Sequence, residues 1–220
     1  SSDITKIGLY FSDTPPKKIM RYTDIRDEYM EIPANVKNFP ISSYHVFDYD
    51  AHLLMLTPHS HYRGKSSKFT LLYPDGNKEV ILSVPDYDYN WQLTYHFDTP
   101  KAVPAGSILH YQTVFDNSKF NKNNPDPNKI IYWGEQLENE MHYAPITFLW
   151  DDETPDNLIH NPNRVEFARL MGAIDNNTDY FIDKSEVPRI LKSLFYKIFF
   201  KGDNNRDDKL DHEELMLAIE

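Results

Sequence analysis

Two short patterns in this sequence have the residue types and spacing to do chemistry. The first is Thr57-Pro-His-Ser-His-Tyr-Arg-Gly-Lys65, in which one residue separates His59 from His61. On an extended chain, residues i and i+2 point to the same face, so both imidazoles can aim at one point as metal ligands do. The bland alternative is a strand ended by Pro58, with the imidazoles hydrogen-bonded at its edge. The second pattern is a pair of acidic twelve-residue stretches, Asp175 to Glu186 and Asp203 to Glu214.

Each acidic stretch places oxygen side chains at positions one, three, five, nine and twelve. These are Asp175, Asn177, Asp179, Asp183 and Glu186, then Asp203, Asn205, Asp207, Asp211 and Glu214. This is the ligand order of an EF-hand calcium loop, where a hard cation takes six to eight oxygens and the closing Glu gives two. The carbonyls of Phe181 and Lys209 are expected at position seven, and Ile182 and Leu210 match the apolar position that pairs two loops. Position six departs from the pattern. Glycine is expected there for the sharp turn, and the chain has Tyr180 and Asp208. A left-handed backbone costs a residue such as Tyr roughly 1–2 kcal/mol. The first loop is therefore expected to bind more weakly, or to bend differently. The sixteen residues between the loops leave room for one shared helix. The bland alternative is two solvated acidic turns.

Charge distribution agrees with a cation-binding C-terminal part. Residues 151–220 hold sixteen acidic and nine basic side chains, a balance of −7, against −4 for the first 150 residues. The whole chain carries −11, which argues against nucleic acid as a partner. With no cysteine there is no disulfide, zinc-thiolate or thiol chemistry. No apolar run approaches the ~18 residues needed to span a membrane. Ser1-Ser2 reads as a processed or artificial start.

Most elements that must position these residues read as strands. Candidates are Lys6–Phe11, Ala51–Thr57, Phe69–Tyr73, Glu79–Val84, Trp91–Phe97, Ser107–Phe115, Ile130–Trp133 and Ile146–Trp150. The segment from Thr14 to Pro33 reads as irregular. Asp75-Gly76 between two apolar runs marks a hairpin, and Val103-Pro-Ala-Gly106 a turn. Asp116 to Asn128 reads as an exposed loop. The expectation is a mainly β protein: an antiparallel, jelly-roll-like β-sandwich over residues 1–150, a linker over 151–163, and a small α-helical EF-hand pair over 164–220.

An ordered set of spans sharpens the first pattern: Pro58-His-Ser-His-Tyr-Arg-Gly-Lys65, Asn90-Trp-Gln92, Val103-Pro-Ala-Gly-Ser107, Phe115-Asp-Asn-Ser118, Asn124-Pro-Asp-Pro127, and Trp133-Gly134 through Glu140-Met141. Over roughly residues 5–150 it resembles the C-terminal domain of the copper type II, ascorbate-dependent monooxygenases, in their bacterial branch. The resemblance implies a jelly-roll-like sandwich binding one copper through His59, His61 and Met141. Two imidazoles and a soft thioether suit copper cycling between Cu(I) and Cu(II), although Met141 could equally be a packing residue. It also implies O2 as co-substrate, hydroxylation of a small-molecule or peptide substrate, and ascorbate or another one-electron reductant. In the parent protein it implies an N-terminal three-His copper domain, of which this chain shows no counterpart. In the peptide-amidating relatives an Arg before the first His, with Asn and Tyr after the Met, clamps the substrate carboxylate. The matching positions here are Thr57, Tyr143 and Pro145, so that clamp is missing.

Two other readings stand beside this one. The chain could be a non-catalytic copper- and calcium-binding module of a larger extracytoplasmic protein. A cupin also uses His-x-His, but it places a Glu three or four residues later, where this chain has Gly64 and Lys65. Copper together with calcium suits a periplasmic or secreted protein. Among the remaining histidines, His52 or His110 could orient a ligand, while His160 and His212 read as surface residues.

Overall fold

The computed structural model describes residues 4–219. Ser1-Ser2 lies outside them. Ten strands come first: β1 (Met20–Asp27), β2 (Glu31–Ile32), β3 (Lys37–Val46), β4 (Ala51–Leu56), β5 (Gly64–Leu72), β6 (Lys78–Val84), β7 (Tyr95–Val103), β8 (Ile108–Asp116), β9 (Ile131–Tyr132) and β10 (His142–Trp150). Two antiparallel four-stranded sheets carry the orders β1-β10-β4-β7 and β3-β8-β5-β6, and β2 pairs with β9. The sheets share one core. Ile25, Leu53, Leu56, Ile146 and Phe148 come from the first, and Phe69, Leu71, Leu109 and Tyr111 from the second. Strict alternation makes this possible: every second residue of β8 and of β10 is buried. The result is a mainly β, sandwich-like fold.

The Asp75-Gly76 turn joins β5 to β6, with Gly76 at φ +87° as the hairpin requires. Other strand expectations need correcting. Lys6–Phe11 is not a strand. Leu9, Tyr10 and Phe11 lie exposed, because no strand edge pairs with them. The segment from Thr14 to Pro33 is not irregular throughout: it contains β1, whose polar sequence is held extended by its full ladder with β10. Trp91–Thr94 is not extended either. A turn from Asp88 to Trp91 precedes it, with the Asn90 and Trp91 amides bonded to Asp88, and β7 starts only at Tyr95. It continues through Pro100, which an edge strand tolerates. Asp116 to Asn128 is only partly exposed. Asn117 is fully buried and donates to the carbonyls of Pro33 and Lys129, while its oxygen accepts from Arg63 and Asn124.

Helices α1 (Pro162–Ile174), α2 (Lys192–Gly202) and α3 (His212–Ile219) follow, with short strands β11 (Ile182–Asp183) and β12 (Lys209–Leu210) in the acidic loops. One helix, α2, serves both loops after a 3-10 turn at Arg189–Leu191. Asn161 caps α1 by accepting from the Asn163 and Arg164 amides. The helices pack on the outer face of β3, where Tyr44 and Val46 join a core with Met171, Ile174, Phe195 and Leu215. On the inner face His45 packs edge-on against Phe47. The end of β3, from Ser43 to Val46, is thus buried on both sides. The approach of α1 is close: a Cβ on Gly172 would fall 1.8 Å from the Tyr44 carbonyl oxygen. The segment before α1 is anchored by Glu153, fully buried, which takes a bidentate ion pair from Arg21 and two backbone amide bonds. Among the described residues no helix is long and apolar enough to cross a membrane.

Candidate metal centre

The His-Ser-His segment leaves β4 and runs beside the start of β10. The Thr57 amide donates to the Pro145 carbonyl, and the His59 amide to that of Tyr143. His59 forms an isolated antiparallel bridge with Tyr143, and the amides of His61 and Met141 both bond the Glu140 side chain. The three residues singled out from sequence therefore belong to one corner of the sandwich.

A single buried carboxylate fixes that corner. Glu140 is fully buried. Its Oε2 accepts from the amides of His61 (2.7 Å) and Met141 (3.1 Å), and its Oε1 from the amide of Arg63 (2.6 Å). Burial pushes this carboxyl up to about 7, while the three amides and Arg63 pull it down. Arg63, also buried, donates to Asn117 Oδ1 and to the Glu138 carbonyl, so it braces the loop.

Both imidazoles have a fixed tautomer. Gln92 Nε2 donates to the Tyr89 carbonyl, which turns Gln92 Oε1 towards His59 Nδ1 at 2.5 Å. An amide oxygen only accepts, so His59 Nδ1 carries the proton. His61 Nδ1 donates in the same way to the Asn139 carbonyl at 3.3 Å. Each ring thus keeps its Nε2 lone pair available, the state a metal-binding His needs. Burial lowers the pKa of both, and for His61 the neighbouring His59 lowers it further, which favours the neutral form. The ring centroids are 5.2 Å apart and perpendicular. Two imidazoles held at ~2.0 Å by one tetrahedral ion place their centroids about 5 Å apart. The observed separation matches that value, and it is equally that of an ordinary edge-to-face ring pair. Met141 is half-buried, its amide on the same carboxylate as that of His61, and the Tyr143 ring stands 5.9 Å from that of His59.

Sequence reasoning named the two histidines and Met141 but not the residues that align them. His52 does not orient a ligand. It pairs with Asp151 and sits opposite Leu149, at the far end of β10. His110 lies outward on β8, between Tyr44 and Thr70. Gln92 and Asn139 are the residues that bond the two rings. His160 and His212 are not free surface residues: His160 Nδ1 accepts from the Trp150 indole, and His212 shares Asp48 with Arg164.

The two acidic loops repeat one bonding scheme at a 28-residue interval. Asp175 Oδ1 accepts from the Asp179 amide, and Asp203 Oδ1 from that of Asp207. Asn177 and Asn205 accept from the same two amides. Asp179 accepts from Phe181, and Asp207 from Lys209. Glu186 and Glu214 close the loops by accepting from Asp183 and Asp211. Ile182 pairs with Leu210, both fully buried. Tyr180 and Asp208 both adopt left-handed backbone, at φ +69° and +64°, so the first loop makes the same bend as the second. Lysines tie the loops together, Lys209 to Asp179 and Lys184 to Asp208. Among the described residues no three His, Asp or Glu side chains converge as a ready-made ion cage.

No protein-family model matches the chain, and neither does any curated protein. Solved structures give remote likenesses. One is the VP2 subviral particle of infectious bursal disease virus, at 13% identity and TM-score 0.31, covering 69% of this chain and 38% of that one. Another is a ruminal GH26 endo-beta-1,4-mannanase, at 11% identity and TM-score 0.22, covering 64% and 25%. The chain thus spans well under half the length of either.

Proposed function

We propose that the sandwich is the copper-binding, O2-using domain of a copper-dependent monooxygenase, and that the helical part is an EF-hand pair binding calcium. The observation that carries the copper reading is the matched pair of Nδ1–H donors, His59 to Gln92 and His61 to Asn139, on rings 5.2 Å apart. The strand orders, with eight long strands in two sheets of four, also support a jelly roll. His59, His61 and Met141 would hold the copper, which would supply one-electron cycling and O2 binding. The chain's own residues orient that site. Gln92 and Asn139 aim the two Nε2 atoms, and Glu140 fixes the spacing between the His loop and Met141. The reaction class is hydroxylation of an organic C–H bond, with ascorbate or another one-electron donor as reductant. A periplasmic or secreted setting suits both metals.

A second reading, a non-catalytic copper- and calcium-binding module, draws support from the missing clamp. Tyr143 stands where amidating relatives place a substrate-binding residue, and here its hydroxyl is bonded to that of Tyr22.

For calcium, the donor set fits: the chemistry is all oxygen, and the amide scheme recurs in both loops. Elemental analysis after loading tests both metals. One copper and two calcium ions per chain are expected. Met141→Ala should weaken Cu(I) more than Cu(II), since a thioether prefers the softer ion. No stoichiometric copper would refute the copper reading. Ascorbate-driven O2 uptake abolished by His59→Ala would select the enzyme over the module.

A further inference from the structure

Asp175 opens the first acidic loop, is 1% exposed, and receives a hydrogen bond from far outside that loop. The hydroxyl of Tyr44, on β3, donates to Asp175 Oδ2 at 2.7 Å. The same oxygen accepts from the Tyr180 amide at 2.8 Å. The Tyr44 ring also packs edge-on against Tyr180, with centroids 5.3 Å apart. Tyr180 is the residue that takes the left-handed turn where glycine is expected. One side chain of the sandwich thus supports both the first carboxylate of the loop and its strained corner. Among the described residues the second loop has no equivalent. Asp203 accepts from the Asp207 and Asp208 amides of its own loop, and its left-handed residue, Asp208, brings no ring.

Tyr44 is itself immobilised. It is fully buried, laddered to His110 of β8, and its carbonyl faces Gly172 of α1 at close range. Its hydroxyl fixes the rotation of the Asp175 carboxylate and turns Oδ1 towards the loop interior. The ordering cost of that ligand is met on folding, not when the ion binds.

We propose that the first loop is a composite cation site, built by the helical region and completed by Tyr44 of the sandwich. Its calcium occupancy and the docking of α1 on β3 therefore reinforce one another, by the same factor in each direction. This rests on the calcium reading above. The loop whose sequence departs further from the pattern is the one the fold preorganises.

Calcium titration calorimetry on the full chain tests this. Asp203→Ala silences the second loop and Asp175→Ala the first, which assigns the two constants. With the second loop silenced, Tyr44→Phe should weaken the remaining site about tenfold, the order expected for one hydrogen bond to a charged group. With the first loop silenced it should change nothing. The calcium-induced rise in Tm should also shrink in Tyr44→Phe. Two bound calcium ions with less than a twofold change would overturn the composite site and leave the calcium reading standing. Equal weakening of both loops would overturn it too, because that marks general loosening of the helical region. No calcium bound by the wild type would overturn the calcium reading and the composite site with it.

Discussion

Replacing Glu140 by Gln isolates the clamp that aligns the candidate metal site. The side chain keeps its shape, but one oxygen becomes an NH2 group. Glu140 serves three amide donors, one at Oε1 and two at Oε2, at 2.6–3.1 Å. The amide would choose the lesser loss and turn its nitrogen towards Arg63, leaving one buried N–H facing another donor. An unsatisfied buried donor costs about 1–3 kcal/mol. The two surviving bonds lose their charge assistance, and the buried Arg63 loses a favourable carboxylate charge. Gln also escapes the burial penalty that raises the Glu140 carboxyl to about 7, which offsets part of these losses, and the net is about 1–2 kcal/mol, or roughly 2–8 °C in Tm for a chain of this size. Urea unfolding at pH 8, where the carboxyl is ionised, measures it through the fluorescence of Trp133 and Trp150. Because His61 and Met141 both hang from this carboxylate, copper affinity should fall in the same variant. A loss under about 0.5 kcal/mol would refute the argument, since neutral surface changes are of that size.

Four further outcomes follow from the geometry. Gln92→Leu removes the acceptor that fixes His59, and copper affinity should drop roughly 10–100-fold in a competition titration while the fold is retained. Gly172→Ala drives a Cβ to 1.8 Å from the Tyr44 carbonyl oxygen, so α1 must lift from β3; a loss of about 3 kcal/mol is expected by thermal unfolding, and a neutral result would mean the helix seats elsewhere. Burial pushes His45 down to about 4 from its ordinary 6.5, and among the described residues neither ring nitrogen has a hydrogen-bond partner. Its contribution is fully present above pH 6.5 and is lost as pH falls towards 4, because the unfolded chain takes up the proton first. That amounts to about 3 kcal/mol, and His45→Leu should flatten this part of a stability–pH curve. Glu153→Ala leaves Arg21 and two amides unpaired; about 3 kcal/mol should be lost, measured by urea unfolding, and a stability unchanged within error would show the segment before α1 to be unanchored.

What was legible in the sequence was local. The Asp75-Gly76 hairpin, the apolar run of β4 and the alternation of β8 rest on turn chemistry and a period of two, which a short window contains. The same holds for the loop ligands and for the His59–His61 pair, whose spacing alone puts two imidazoles on one face. Strand choice failed where pairing outweighed pattern. β1 is polar and still extended because β10 lies beside it, whereas the apolar Lys6–Phe11 segment has no partner strand.

Tertiary structure alone decided everything that depends on two distant segments meeting. Glu140 reads as one more acid in a polar loop, and only the fold brings it under the amides of His61 and Arg63, 79 and 77 residues away. Nothing in the sequence marks Tyr44 as a partner of Asp175, 131 residues later, because a tyrosine on a strand is ordinary core. A sequence states which groups could bind, since that is a property of side chains and short spacing. Their protonation and orientation, and what holds them there, depend on burial and on partners that the chain supplies only once it has closed on itself.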